Sequence, residues 1–227
     1  MLRWISAAVL MLVPAPFAAA EGAGDMTALR EAMSALYVIV PTDPATGASM
    51  MEVVAGTGGA PAREVVVAFL DAGDAAAMTM AAGMGDKVEG RLMNAADLYA
   101  VAGGDVVWRT SADNAVLVDG DVTRPPAFYI TNPEGDPLTQ TIEGRERIVF
   151  YVDAIAADSA RVSAENKLSA AGQPSRLSVI AADLVSLIGG VRSGEAKDVY
   201  LASSPTVILW AAQWEQGARL IKTYKTR

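Results

Sequence analysis

The sequence predicts an α/β protein, in the wider α+β sense, made of two tandem pseudo-symmetric half-domains that share a sheet flanked by helices. A short repeat is the first reason: Ala95-Ala96-Asp97-Leu98 recurs as Ala181-Ala182-Asp183-Leu184, and both copies lead to a Gly-Gly pair. The second reason is an apolar strand that precedes each copy and ends in an aspartate, Asp71 or Asp153. The third is a further short strand before each of these. Such a repeat indicates that one structural unit is used twice.

The elements of the first half follow from apolar runs bounded by turn residues. The continuous apolar run Val65 to Leu70 is typical of a strand covered on both faces, and Asp71 is placed to cap the next helix. A second helix is closed by Gly103-Gly104, because glycine is favoured just beyond a helix C-terminus. In chain order we predict a strand at Leu36 to Val40, a hairpin strand at Met50 to Val54, the strand at Val65 to Leu70, helices at Ala72 to Met84 and Leu92 to Val101, and a strand at Val106 to Arg109.

The second half repeats this order. Asn132 to Asp136 has the residues of a hairpin turn, and Gly189-Gly190 is placed to close the second helix. The predicted elements are strands at Phe128 to Thr131, Leu138 to Ile142 and Ile148 to Val152, helices at Asp153 to Leu168 and Ser178 to Ile188, and strands at Val199 to Leu201 and Pro205 to Ala211. The predicted divisions of the chain are a signal peptide at 1–20, a first half-repeat at 21–112, a joining segment at 113–126 and a second half-repeat at 127–227.

The first twenty residues have the three parts of a secretory signal peptide. Arg3 supplies the positive charge, Ile5 to Val13 is the apolar region, and Ala18-Ala19-Ala20 provides small residues for cleavage. The apolar region is too short to span a bilayer, and no later apolar run reaches that length. We therefore expect a chain without a membrane span in the periplasm.

Composition excludes several functions. The net charge of −8 argues against a nucleic-acid partner, which would require basic patches. The chain has no cysteine and no histidine, so it has no disulfide, no thiol or histidine catalysis and no zinc site of the usual type. We expect no cofactor and no metal.

Both halves, from about Leu36 to Trp210, resemble a known family, and the second half resembles it more closely. The strand and turn from Ala127 to Leu138 resemble that family's apolar strand, D/N-x-x-G-x-P-L turn and return strand. Ile148 to Asp153 is similar to its apolar strand ending in an acidic residue, and Leu177 to Ile188 is similar to its closing strand and short helix. The family is the twenty-two-kilodalton component of the chloroplast inner-envelope translocon (Tic22-like), in its bacterial periplasmic branch. The resemblance implies a pseudo-twofold α/β fold with apolar grooves, no catalysis and a chaperone-like role towards outer-membrane or translocated polypeptides.

A methionine-rich stretch is the predicted binding groove. Methionine is flexible and polarisable, which suits a surface that accepts varied apolar partners. An exposed stripe of this kind would capture client polypeptides in a groove, with a large aromatic residue near the C-terminus as a further contact. The predicted groove residues are Phe69, Leu70, Met78, Met80, Met84 and Trp214.

Other readings of the chain remain open. Asp97 and Asp183 could form a carboxylate pair across the pseudo-twofold axis of an enzyme, and a cleft between the halves could bind a small ligand. Asp113, Asn114, Asp119 and Asp121 could form a weak metal site, although no closing glutamate follows. The sequence leaves the client and the oligomeric state unknown.

Charged substitutions in the methionine stretch test the predicted groove. If Met80 and Met84 line a client-binding surface, Met80→Asp and Met84→Asp abolish client binding while the circular dichroism spectrum stays native. Core residues behave differently, because a charge there costs more than the roughly 2–5 kcal/mol of a buried methionine truncated to alanine. Unfolding of both variants would therefore place these residues in the core.

Overall fold

The computed structural model describes residues 2–5, 23–54, 61–81, 88–110, 125–173 and 176–212. Within these ranges the chain forms eleven strands and six helices. The strands are β1 (Leu2–Ile5), β2 (Tyr37–Thr42), β3 (Ser49–Val54), β4 (Arg63–Phe69), β5 (Glu89–Asn94), β6 (Val106–Arg109), β7 (Pro126–Thr131), β8 (Thr139–Ile142), β9 (Arg145–Tyr151), β10 (Ser178–Asp183) and β11 (Val199–Ala202). The helices are α1 (Ala23–Ala32), α2 (Ala72–Ala81), α3 (Ala95–Val101), α4 (Ala154–Ala170), α5 (Leu184–Ser193) and α6 (205–212).

Each half builds its own sheet. The first sheet has six strands in the order β1-β3-β2-β4-β6, with β5 on β2 and an additional pairing of β3 with β4. The second has five strands in the order β10-β7-β9-β11, with β8 on β9. The predicted mixed α/β class is confirmed, but the halves contribute two separate sheets and not one shared sheet.

Strand pairing shows that the two halves repeat one topology. β2 runs antiparallel to β5 from Tyr37 opposite Asn94, and β7 runs antiparallel to β10 from Pro126 opposite Asp183. The buried strand of each half then takes its last neighbour in parallel, β6 on β4 and β11 on β9. The common order is strand, hairpin strand, strand, helix, strand, helix, strand. A strand separates the two helices in each half. The parallel pairs β4–β6 and β9–β11 are each joined by such a long crossover, because parallel strands cannot be connected by a tight hairpin.

The prediction of a second helix in each half was partly wrong. The segment Leu92 to Val101 begins as the end of β5, and Ser178 to Ile188 begins as β10. Short Ala-rich apolar runs do not distinguish a buried strand from a helix by periodicity. The pairing also corrects the repeat register: Asp183 corresponds to Asn94, and each of these residues caps the helix that follows its strand. The tetrapeptide match that aligned Asp183 with Asp97 is therefore not the structural alignment.

The two Gly-Gly pairs have different roles. Gly103 and Gly104 have φ angles of 61° and 89° just after α3, so their predicted role at a helix end is confirmed. The predicted closure by Gly189-Gly190 is wrong, because both residues lie inside α5. That helix ends at Gly194, whose φ of 75° is the left-handed conformation that glycine adopts most easily.

The predicted strand Pro205 to Ala211 is the helix α6. Ser204 accepts the backbone N–H of Thr206 through its hydroxyl, at 3.3 Å, and Pro205 follows it at the first helical position. Both residues are favoured at a helix N-terminus. The helix-start signal of Ser204 and Pro205 outweighs the strand preference of the β-branched residues in the segment.

Residues of the first sheet alternate between two buried clusters. In β2, Val38 and Val40 face the large cluster between the halves, whereas Ile39 faces a smaller cluster on the opposite face. Alternate residues of β4 divide in the same way, with Ala68 in the large cluster and Phe69 in the small one. This sheet is therefore covered on both faces, as the continuous apolar run Val65 to Leu70 predicted.

Each terminal helix packs on the other half of the molecule. Leu29 of α1 belongs to the large cluster together with Leu184 and Ile188 of α5. Glu31 of α1 also forms ion pairs with Arg145 and Arg147 of β9. At the other end of the described chain, Val207 and Trp210 of α6 join the small cluster on the first sheet. The halves are thus held by exchanged helices as well as by the shared core.

Among the described residues, no helix combines the length and the apolar character that crossing a membrane requires.

The glycine pair inside α5 gives a stability prediction. A Cβ at Gly189 would meet nothing within 4 Å, whereas one at Gly190 would lie 3.3 Å from the Cβ of Ala196. Alanine is favoured over glycine by about 0.5–1 kcal/mol in a helix. We expect Gly189→Ala to raise Tm by about 1–4 °C, measured by calorimetry. Gly190→Ala, the matched control, should gain less or lose, and equal gains would contradict this account of the packing.

Candidate functional site

Two aspartates that follow buried strands cap the next helices. Asp71 Oδ1 accepts the backbone N–H groups of Gly73 and Asp74, at 2.7 and 3.2 Å. Asp153 Oδ1 accepts the N–H of Ala156 at 2.7 Å and is the N-cap of α4. The capping role predicted for Asp71 is therefore confirmed, and Asp153 has the same role in the second half.

Hydroxyl groups at the start of α6 connect these two aspartates. The Thr206 hydroxyl donates to Asp71 Oδ2 at 2.6 Å, and the Ser204 hydroxyl donates to Asp153 Oδ2 at 3.3 Å. The oxygen atoms of Ser204 and Thr206 lie 2.9 Å apart. We call these four residues the cap cluster. The start of α2, the start of α4 and the start of α6 meet at this cluster, and the positive ends of the helix dipoles favour carboxylates there.

The cap cluster is a structural element. Each carboxylate has one oxygen engaged by backbone N–H groups and the other by a hydroxyl. The cluster thus contains two acids, each of which accepts a hydrogen bond from one hydroxyl, and the two hydroxyl oxygens are in contact. These contacts serve helix capping and hold the two halves against α6.

A separate groove lies on the second half, between the sheet and α5. Its volume is about 460 Å³, and it is open to solvent along its length. The rings of Tyr129 and Phe150 are 5.1 Å apart and tilted by 42°, and both line the groove. The lining residues, which we call the α5 groove, are Tyr129, Pro137, Phe150, Ala182, Asp183, Ser186, Leu187, Gly190, Glu195 and Ala196.

The lining of the α5 groove is mainly apolar with a polar rim. The aromatic rings and Leu187 supply apolar surface, while small residues such as Gly190 keep the floor low. Asp183 is held at the rim by its own helix, because its Oδ1 accepts the N–H of Ser186 at 2.8 Å. Glu195 is exposed. An arrangement of this kind binds apolar groups and orients polar ones at the edge.

The predicted carboxylate pair is not brought together in this groove. Asp183 lines it, but Asp97 is an exposed residue in the first turn of α3 and is not among the lining residues. Asp183 also differs from the sequence expectation of a mid-helix acid, because it ends β10 and caps α5.

Two of the predicted groove residues, Phe69 and Leu70, are part of the core. Phe69 and Leu70 are only 2% and 1% exposed. They also belong to different clusters, Phe69 to the small one and Leu70 to the large one. Successive residues of a strand point to opposite faces of its sheet, so these two neighbours do not form one floor. Their predicted role as joint groove residues is corrected accordingly.

The remaining predicted groove residues are described only in part. Met78 is half-buried and packs against the small cluster. Met80 lies in α2, and nothing is described of its side chain; Met84 and Trp214 lie outside the described residues. Binding of polypeptides by this stretch stays a prediction.

Within the described ranges, no group of three or more acidic residues has the spacing to hold a metal ion. The acidic turn considered from the sequence, from Asp113 to Asp121, lies outside those ranges.

Sequence reasoning did not identify the α5 groove. The sequence predicts strands at Tyr129 and Phe150, and the end of a helix at Leu187 and Gly190. One available signal was the placement of Tyr129 within an otherwise apolar strand, since a tyrosine hydroxyl favours a position near water. The contribution of Glu195 and Ala196 depends on a turn after α5 that no sequence pattern indicated.

Comparison with known proteins supports the fold. No protein-family model matches the sequence, and no curated protein matches it. Solved structures do match: Tic22 of Anabaena, described as a protein-transport protein, aligns with a TM-score of 0.57 and 9% identity over 83% of this chain and 96% of its own. Tic22 of Plasmodium falciparum aligns with a TM-score of 0.59 and 16% identity over 83% of this chain and 98% of its own.

These matches define the class of structure. The chain has a Tic22-like fold, so the resemblance expected from the sequence is confirmed at the level of fold. At such low sequence identity the similarity is evidence for the fold alone.

Removal of one hydroxyl tests the cap cluster. Thr206→Val keeps the side-chain shape but removes the donor to Asp71, and we expect a loss of about 0.5–1.5 kcal/mol in the free energy of unfolding. Urea denaturation measures this change. Thr206→Ser, which keeps the hydroxyl, is the matched control and should lose less. A valine variant as stable as the parent would show that the hydrogen bond contributes nothing.

Proposed function

We propose that this chain is a non-enzymatic periplasmic protein that binds segments of other polypeptides in the α5 groove. One observation carries the proposal: the groove is open, mainly apolar and rimmed by polar side chains. An open groove admits a chain that continues past it on both sides. A small ligand is normally held in a cavity that encloses most of its surface.

The lining suits apolar side chains attached to a polypeptide. The half-buried Tyr129 ring presents apolar surface without a charge and is backed by the buried ring of Phe150. Gly190 and Ala196 pack against each other, and neither places a bulky side chain in the groove. Aromatic anchors of this kind dominate the affinity of many polypeptide interfaces.

The fold supports a role of the same class. The Anabaena protein with this fold is described as a protein-transport protein. Transport of polypeptides requires transient binding of extended apolar segments, and an open groove without an enclosing wall provides it. The predicted signal peptide would deliver the chain to the periplasm, where it would meet polypeptides that cross that compartment.

The chemistry available to the chain favours binding over catalysis. The sequence contains no histidine and no cysteine, which removes the commonest general base and the thiol nucleophile. Asp183, one of the two acids that line the groove, caps α5 through its hydrogen bond from Ser186. We therefore assign the polar rim to orientation of the bound segment.

A charge in the groove tests the function. Leu187→Asp places a carboxylate among the apolar lining, and we expect at least about tenfold weaker binding of a labelled, permanently unfolded polypeptide such as reduced and carboxymethylated lactalbumin. Fluorescence anisotropy measures the Kd. Val185→Asp is the control, since Val185 lies on the same helix, is 51% exposed and does not line the groove.

Both variants should keep the circular dichroism spectrum of the parent. Unchanged binding by folded Leu187→Asp would exclude the α5 groove as the binding site. An equal loss in both variants would show a general effect of negative charge and would also contradict the proposal.

A further inference from the structure

The outer edge of β3 holds a strand that the chain is predicted to lose. β1 pairs antiparallel with β3, from Leu2 opposite Glu52 to Ile5 opposite Ser49. The other side of β3 pairs with β4. Because β1 lies within the predicted signal peptide, cleavage after residue 20 would remove the partner of this edge. The mature β3 would then present unpaired backbone N–H and C=O groups.

The second half contains an equivalent edge for comparison. β3 pairs with β4 in the same way as β8 pairs with β9. Val53 lies opposite Glu64 in the first pair, and Thr141 lies opposite Glu146 in the second. The common topology makes Met51 equivalent to Thr139 and Val53 equivalent to Thr141. Among the described residues, β8 pairs only with β9, and the isolated bridge between Thr131 and Pro137 lies just before it. The outer edge of β8 therefore has no strand equivalent to β1 among these residues.

The two edges differ in residue type. β8 reads Thr-Gln-Thr-Ile, and its Thr139 and Thr141 are exposed. β3 reads Ser-Met-Met-Glu-Val-Val, and its only charged residue is Glu52. Glu52 pairs with Arg109 at 2.5 Å, and the two side chains are only 25% and 30% exposed.

Natural sheets protect free edges with charged residues, prolines or bulges. β3 has none of these at its outer edge except a glutamate that is already neutralised by Arg109. An apolar, unprotected edge of this kind favours the addition of another strand. The seating of residues 2–5 shows that an extended segment fits there in the antiparallel direction.

We propose that the outer edge of β3 is a strand-addition site for an extended, apolar segment of a client polypeptide, and that the N-terminal segment occupies this site before it is removed. The nature of the partner rests on the proposed function, but the site is distinct from the α5 groove. Binding by strand addition uses main-chain hydrogen bonds for affinity and alternate side chains for selectivity. It therefore accepts many sequences that share an alternating apolar pattern.

Three full-length forms test the site. The chain has no cysteine, so Ile5→Cys with Ser49→Cys introduces a single pair at opposed positions. Opposed residues of antiparallel strands lie about 4.5–5.5 Å apart, within the range for a disulfide. Oxidation closes the edge. Trp4→Pro opens it, because proline disrupts strand pairing. Ile5→Cys with Val53→Cys is the control pair, out of register in this pairing.

The probe is a labelled peptide with the sequence of residues 1–8, and the control peptide carries proline at its fourth position. We expect the peptide to bind the Trp4→Pro chain at least about tenfold more tightly than the oxidised Ile5→Cys/Ser49→Cys chain, with binding regained on reduction. The proline peptide should not bind. Met51→Thr with Val53→Thr, which copies β8, should weaken binding in the Trp4→Pro background.

Equal peptide binding by the oxidised Ile5→Cys/Ser49→Cys chain and the Trp4→Pro chain would overturn the proposal. Disulfide formation in Ile5→Cys/Val53→Cys with a yield similar to that of Ile5→Cys/Ser49→Cys would also overturn it. Concentration-dependent dimerisation of the Trp4→Pro chain without peptide binding would assign the edge to a second copy and would also overturn it. Leu187→Asp separates the two sites: it should leave peptide binding at β3 unchanged even if the α5 groove binds no client.

Discussion

The cap cluster is the constraint on which the arrangement of the two halves depends. Each half ends its buried strand with an aspartate, and each aspartate caps the helix of its own crossover. The free oxygen of each carboxylate is then taken by a hydroxyl at the start of α6, through Thr206 in the first half and Ser204 in the second. Since α6 follows the last strand of the second half and packs on the first sheet, these two side-chain hydrogen bonds hold the start of α6 against both halves.

The exchange of terminal helices completes this arrangement. α1 leads into the first half but packs on α5 and pairs with β9 through Glu31. α6 leaves the second half and covers the first sheet through Val207 and Trp210. α6 thus shares the cover of one face of the first sheet with α2, and α1 joins α5 in the large cluster. Two copies of one topology therefore form one cooperative core, and apolar burial supplies most of its stability.

The two copies of the repeat differ at the two surfaces that we propose as binding sites. In the second half, the space beside α5 remains as an open groove with two aromatic rings. In the first half, the hairpin strand β3 is apolar where its equivalent β8 is polar. Both features suit extended polypeptides, one through side chains and the other through the backbone. The chain thus carries two distinct surfaces, an open groove beside α5 and an apolar strand edge at β3.

By itself, the sequence determined the α/β class, the internal repeat, the buried strands and the capping role of Asp71, because these depend on local patterns of apolar residues and turn residues. It also excluded histidine and thiol chemistry through composition. Only the tertiary structure decided the register of the repeat, the separation into two sheets, the strand identity of residues 89–94 and the burial of Phe69 and Leu70 on opposite faces. The α5 groove likewise required the structure, since its lining comes from segments that are distant in sequence. Short Ala-rich segments fit both the helical and the extended pattern. Long-range strand pairing selects between the two, because it provides hydrogen-bond partners for backbone groups whose partners the local sequence does not specify.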